Sequence, residues 1–187
     1  IQQRGGGWLF SAGGPASPTS GSVAGPAATA TGQAAGPSLT ETPPTTAIPL
    51  TDADLLMVYD DQSFLLVNNS RGPLDVQFLE FVRLDPETGE TFSFQASDWD
   101  TESASSPPSA LPAGHCYQVW RRGLSRQDIR LDYTRYCQTR AAWWTASQTR
   151  WFWIDDAPGA SFTVTQLGEV LAICSVAEGQ CAASFPR

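Results

Sequence analysis

The chain has 187 residues, among them 11 Arg, no Lys, one His and 19 Asp or Glu, for a net charge of −8. That length allows one ordinary domain with an appendage, or two small domains. The acidic balance argues against a nucleic-acid partner, which needs a surplus of cations, and no apolar run is long enough for a transmembrane segment. With one His, four Cys and no clustered ligands, most catalytic constellations cannot be assembled, so neither enzymatic activity nor a cofactor is expected.

Residues 1–50 are a different material from the rest. From Ser11 to Ile48 only Val23, Gln33, Leu39, Glu41 and Ile48 depart from Ala, Gly, Pro, Ser and Thr. Such a segment cannot bury enough apolar area to offset about 1–2 kcal/mol of backbone entropy per ordered residue. It reads as an extended arm or stalk, and Ser and Thr interleaved with Pro from Thr40 to Thr46 could carry O-linked glycans. An unmodified spacer is the plainer alternative. Trp8-Leu9-Phe10, after Gly5-Gly6-Gly7, places a short apolar anchor on that arm. The chain opens on Ile1 and not on Met, which leads us to expect a removed export signal or membrane anchor.

Residues 51–187 read as a disulfide-bonded β-domain. Turn signals recur every eight to twelve residues between short runs rich in Val, Ile, Phe, Tyr, Trp and Thr, the pattern of an antiparallel sandwich or barrel. Leu55–Tyr59 and Ser63–Asn68 form a hairpin across Asp60-Asp61-Gln62. A strand over Val76–Leu84, with Phe78, Glu80 and Val82 on one face and Gln77, Leu79, Phe81 and Arg83 on the other, reads as covered on both sides and returns through the Asp85–Gly89 turn into Thr91–Gln95. A polar loop over 97–110 leads to a strand over Cys116–Arg121. Ser125–Tyr136 has some helical spacing in Ile129, Tyr133 and Tyr136. Ala142–Thr145 and Arg150–Ile154 read as a pair of aromatic strands, and Ser161–Gln166 with Glu169–Cys174 as a hairpin about Leu167-Gly168.

Four cysteines without a Cys-x-x-Cys spacing or a His pair fit two disulfides better than zinc. Of three formal pairings, Cys174 with Cys181 and Cys116 with Cys137 are favoured, because each closes a plausible loop. Oxidised cysteines imply an extracellular or cell-surface location.

Two stretches carry a family resemblance. Phe64 to Ser70 followed by Gly72-Pro73-Leu74-Asp75-Val76, and Leu111-Pro112-Ala113-Gly114 entering the strand at His115, resemble the motifs of lamin-tail-like domains. Gln77-Phe78 departs from that pattern, which has a small residue and Trp there. Residues 55–185 are also similar to extracytoplasmic domains that end membrane-anchored bacterial proteins after a Pro/Thr-rich linker. The resemblance implies an immunoglobulin-like sandwich used for adhesion or scaffolding, and it carries over no catalytic residues.

Chemistry-bearing groups are few. Adjacent or alternate carboxylates at Asp52/Asp54, Asp60/Asp61, Asp98/Asp100 and Asp155/Asp156 sit at inferred turns, where Asp is expected for local hydrogen bonding. Asp98, Asp100 and Glu102 form a weak calcium candidate, three carboxylates in one short loop. Trp143, Trp144, Trp151 and Trp153 come from two inferred neighbouring strands; they are core filler, an assembly contact or, if Trp151 and Trp153 point the same way, an exposed carbohydrate platform. The arginines Arg121, Arg122, Arg126, Arg130 and Arg135 form a solvated face, or one that pairs with carboxylates of a neighbouring subunit. The leading expectation is a non-catalytic extracellular structural subunit, linked to other copies of itself in a filament, sheath or surface layer through Trp8, Leu9 and Phe10. The alternative is a stalk-presented ligand- or carbohydrate-binding module.

Overall fold

A computed structural model describes residues 51–155 and 157–186; Trp8, Leu9 and Phe10 lie outside them. The described residues form an all-β sandwich. The strands are β1 (Leu55–Tyr59), β2 (Ser63–Asn68), β3 (Leu79–Leu84), β4 (Thr91–Gln95), β5 (His115–Arg121), β6 (Thr139–Ala146), β7 (Ser161–Gln166), β8 (Glu169–Ser175) and β9 (Gln180–Ala183). One sheet has the order β6-β5-β2-β1-β9 and the other β4-β3-β7-β8.

Local turn chemistry makes the hairpins. Asp60 Oδ1 accepts from the backbone N–H of Gln62 (2.9 Å) and Ser63 (2.8 Å), closing β1 onto β2. Asp85 does the same for Glu87 and Thr88 between β3 and β4. At the β7–β8 turn Leu167 and Gly168 both have positive φ, 51° and 88°, as a two-residue hairpin loop whose twist matches its strands requires.

Pairing is antiparallel throughout except between β5 and β6, which are parallel. A parallel neighbour needs a long crossover, and residues 122–138 supply it. This corrects two readings of the sequence. The segment 125–136 holds turns and a single 3-10 turn at Tyr133–Arg135, with no α-helix. Residues 150–154 are not a strand: a 3-10 turn at Gln148–Arg150 leads into a bend. That bend drives Phe152 between the sheets, where its ring meets Phe64 at 4.9 Å, Phe81 at 5.0 Å and Phe162 at 5.2 Å. The third strand is also shorter than expected, because Val76 and Phe78 precede the ladder, and it is covered on one face and not two: Leu79, Phe81 and Arg83 are buried while Glu80 and Val82 are partly exposed.

Phe64, Leu66, Tyr117 and Val119 of the five-stranded sheet face Phe81, Phe94, Phe162 and Val164 of the other in the main core. Two ties lock the layers together. Cys174 of β8 is bonded to Cys181 of β9, and the Tyr59 hydroxyl donates to the Ser175 carbonyl at 2.6 Å. Burial pushes the phenols of both Tyr59 and Tyr117 well above the ordinary tyrosine value, aided by the negative charges of Glu178 and Asp100 respectively.

The two stretches that resemble lamin-tail-like motifs meet in space. Asn68, fully buried at the end of β2, donates from Nδ2 to the carbonyls of Gly72 and Leu111, both at 2.8 Å. Its Oδ1 accepts from the Ser70 N–H and hydroxyl. Leu74 and Leu111 pair as an isolated bridge, their N–H groups donating reciprocally at 2.9 Å. One buried amide therefore binds both stretches, and the buried backbone they bring with them keeps its partners.

Candidate binding surface on the five-stranded sheet

Alternation along β5 sends Tyr117 and Val119 into the main core and Cys116, Gln118 and Trp120 to the opposite face. That outer face is covered by the crossover. Val58, Leu65, Val67, Cys116 and Cys137 form a second small core, closed by Leu56, Leu131 and Tyr133. The Cys116–Cys137 disulfide pins the crossover at the point where it rejoins the sheet. Gln118 is buried and satisfied from two directions: its Nε2 donates to the Leu131 carbonyl at 3.2 Å, and its Oε1 accepts from Arg140 Nη1 at 2.8 Å.

The parallel register puts Trp143 beside Gln118 and Thr145 beside Trp120. The indoles of Trp120 and Trp143 stack face to face, 4.8 Å between centroids and 12° between planes. Trp120 is 3% exposed and Trp143 51% exposed. The Arg140 guanidinium lies over the Trp120 ring at 5.6 Å and over Tyr133 at 4.8 Å. Burial, and next the charge of Arg126, hold Arg140 below the ordinary arginine value. The arrangement is a flat apolar face fixed by a buried ring behind it, with the Arg140 cation packed on that ring.

The four tryptophans of the sequence-derived platform separate. Trp143 alone is exposed. Trp144, on the opposite face of β6, packs against the main core. Trp151 is half-buried: its Nε1 donates to the Ala146 carbonyl at 2.9 Å and the Arg121 guanidinium covers its ring at 4.4 Å. Trp153 is 1% exposed, wedged beside Phe64 and Phe152. A platform made of Trp151 and Trp153 therefore does not form, because the segment carrying them is an inserted bend and not a strand. Trp120, Arg140 and Gln118, which surround the exposed Trp143 on this face, are not among the residues the sequence pattern singles out. The alternation of Gln118 and Trp120 with Tyr117 and Val119 marks their shared face, but only the β5–β6 register brings Trp143 to it.

The calcium candidate does not assemble either. Asp98 is paired with Arg150, Asp100 and Glu102 are exposed, and among the described residues no group of three carboxylates, histidines or cysteines converges on a metal position. Asp61 pairs with Arg130 and Asp155 with Arg83, while Asp60 is spent on its turn. No helix among the described residues is long and apolar enough to cross a membrane. No family model matches the chain, and no curated protein matches it in sequence.

Proposed function

We propose that the chain is a non-catalytic, extracytoplasmic recognition module that binds carbohydrate on the outer face of Trp143. The observation that carries this reading is the exposed indole stacked on a buried one. The C–H face of a pyranose is apolar and packs on a flat π face, and a ring already held against Trp120 loses little freedom when a ligand lands on it. Two disulfides are compatible with the extracellular or cell-surface placement. The Asn68 clasp, uniting both motif stretches, supports the lamin-tail-like, immunoglobulin-like reading of the sandwich, and residues 1–50 would act as the stalk that presents it. A glycan array tests the function: wild-type chain should bind at least one saccharide class, and Trp143→Ala, with its fold checked by circular dichroism, should lose it. Binding indifferent to Trp143→Ala defeats the reading.

A second reading, the self-assembling structural subunit, is favoured by a different observation. The β7–β8 hairpin at the edge of the four-stranded sheet exposes Leu167, Val170 and Ile173, the last at 62%, and apolar edge strands of this kind pair with other chains. Electron microscopy and size-exclusion of the full chain should then show polymers that deletion of residues 1–48 abolishes.

A further inference from the structure

We infer that the saccharide taken by the Trp143 surface is anionic, its ring on the indole and its carboxylates against Arg126 and Arg140; this inference rests on the carbohydrate reading above. Charge is distributed very unevenly along the chain. Residues 121–140 contain six of the 11 arginines and two aspartates, a local excess of cations in a protein of net charge −8. Both aspartates are occupied with their own turns. Asp128 accepts from the Ser125 N–H and hydroxyl, and Asp132 from the N–H and hydroxyl of Thr134. Among the described residues, Arg130 is the single arginine of the six with a carboxylate within 4 Å, that of Asp61.

Arg140 makes the sharpest case. It is half-buried, its hydrogen bond to a side chain among the described residues goes to the neutral Gln118 amide, and the charge that acts on it is that of another cation, Arg126. A partly desolvated guanidinium without a counter-ion is a site that gains from an incoming carboxylate, which it can hold with paired N–H groups. Arg140 and Trp143 both pack on the Trp120 ring, so the cation and the stacking indole share one buried support, at a spacing that adjacent units of an oligosaccharide can span. An acidic peptide would use the arginines and leave the exposed indole idle; a uronic-acid sugar uses both.

The test is titration calorimetry of the full chain with oligogalacturonate and with the same oligosaccharide methyl-esterified, which keeps the ring and removes the charge. We expect esterification to weaken binding at least tenfold and Trp143→Ala to weaken it as much. Arg126→Gln, at an exposed position, should weaken it about threefold to tenfold and flatten the salt dependence by about one unit of slope. Equal binding of acid and ester, lost with Trp143→Ala, overturns the charge inference and leaves the carbohydrate reading standing. Binding of the acid that ignores Trp143→Ala overturns both, leaving a merely cationic surface. No binding of oligogalacturonate or of hyaluronate overturns the anionic inference, and the glycan array then judges the parent reading separately. Salt-labile self-association that Arg126→Gln abolishes, seen by sedimentation, assigns the surface to a second copy and overturns the inference as well.

Discussion

On the outer face of the five-stranded sheet Val58, Leu65 and Val67 are sealed beneath residues 122–138, whereas the outer face of the four-stranded sheet presents Thr163, Thr165 and Ser93 in partial contact with solvent and leaves Ile173 exposed. The strands record this difference directly. In β2 every residue from Ser63 to Asn68 is buried, and Phe64-Leu65-Leu66-Val67 is apolar without interruption. In β4 and β7, Phe92, Phe94, Phe162 and Val164 alternate with Thr, Ser and Gln, and burial alternates with them. An unbroken apolar run reports a layer on each side of a strand, and alternation reports one. The covered face is also the one that carries a buried polar hub, Gln118, and the Trp120–Trp143 stack, and the cover helps hold Gln118 through the Leu131 carbonyl.

Several substitutions would break or sharpen this contrast. The largest effect is expected from Leu65→Ala, which opens a cavity between the sheet and its cover and should cost about 2–5 kcal/mol, against about 0.5 kcal/mol or less for Ile173→Ala on the bare face. Urea denaturation of both variants measures the difference, and equal costs would mean the cover packs no better than solvent. Removing the Cys116–Cys137 bridge with a paired Ala substitution should cost about 2–4 kcal/mol. Hydrogen exchange should then accelerate across residues 122–138 while β3, β4 and β7 stay protected.

Alkaline pH probes the layer that both sheets share. The folded state raises the phenol values of Tyr59 and Tyr117, so it holds their protons when the unfolded chain has begun to lose them. Their contribution is complete below the unfolded tyrosine value of about 10 and is lost as pH rises beyond it, by about 1.4 kcal/mol per tyrosine per pH unit. Melting temperature against pH should fall above that point, and Tyr59→Phe should make the fall shallower. A small gain in stability is expected at the exposed hairpin. Leu167 occupies a left-handed conformation that costs a branched residue about 1–2 kcal/mol, so Leu167→Asn should raise stability by about 1 kcal/mol, read as a higher denaturation midpoint. A loss instead would show that the exposed leucine is packed against something.

Much of the hairpin content was legible because it is local. Asp60, Asp85 and the Leu167-Gly168 pair announce their turns within a few residues, and the strands they join follow from period-two or continuous apolar patterns. Loop closure favours Cys116 with Cys137 and Cys174 with Cys181, and the structure joins the same residues. The candidate surface was half legible: Trp143 stands out as one of several aromatic residues, but its exposure and its partner do not. Sequence pattern treats Trp143, Trp144, Trp151 and Trp153 as equivalents, while the fold gives each a different environment.

What the amino-acid order determined alone is therefore the class of the described region and its hairpins, since both depend on side-chain patterns and turn residues within a short span; which strands are covered on two faces it did not determine, for the mixed faces of Val76–Leu84 suggest two-sided cover that β2 has and β3 lacks. Tertiary structure decided the parallel docking of β6 on β5, the use of residues 122–138 as a cover, the insertion of Phe152 and Trp153 between the sheets and the stacking of Trp143 on Trp120. Those features arise from contacts between segments far apart in the chain, and no local period encodes which distant strand a given strand will meet or in which register.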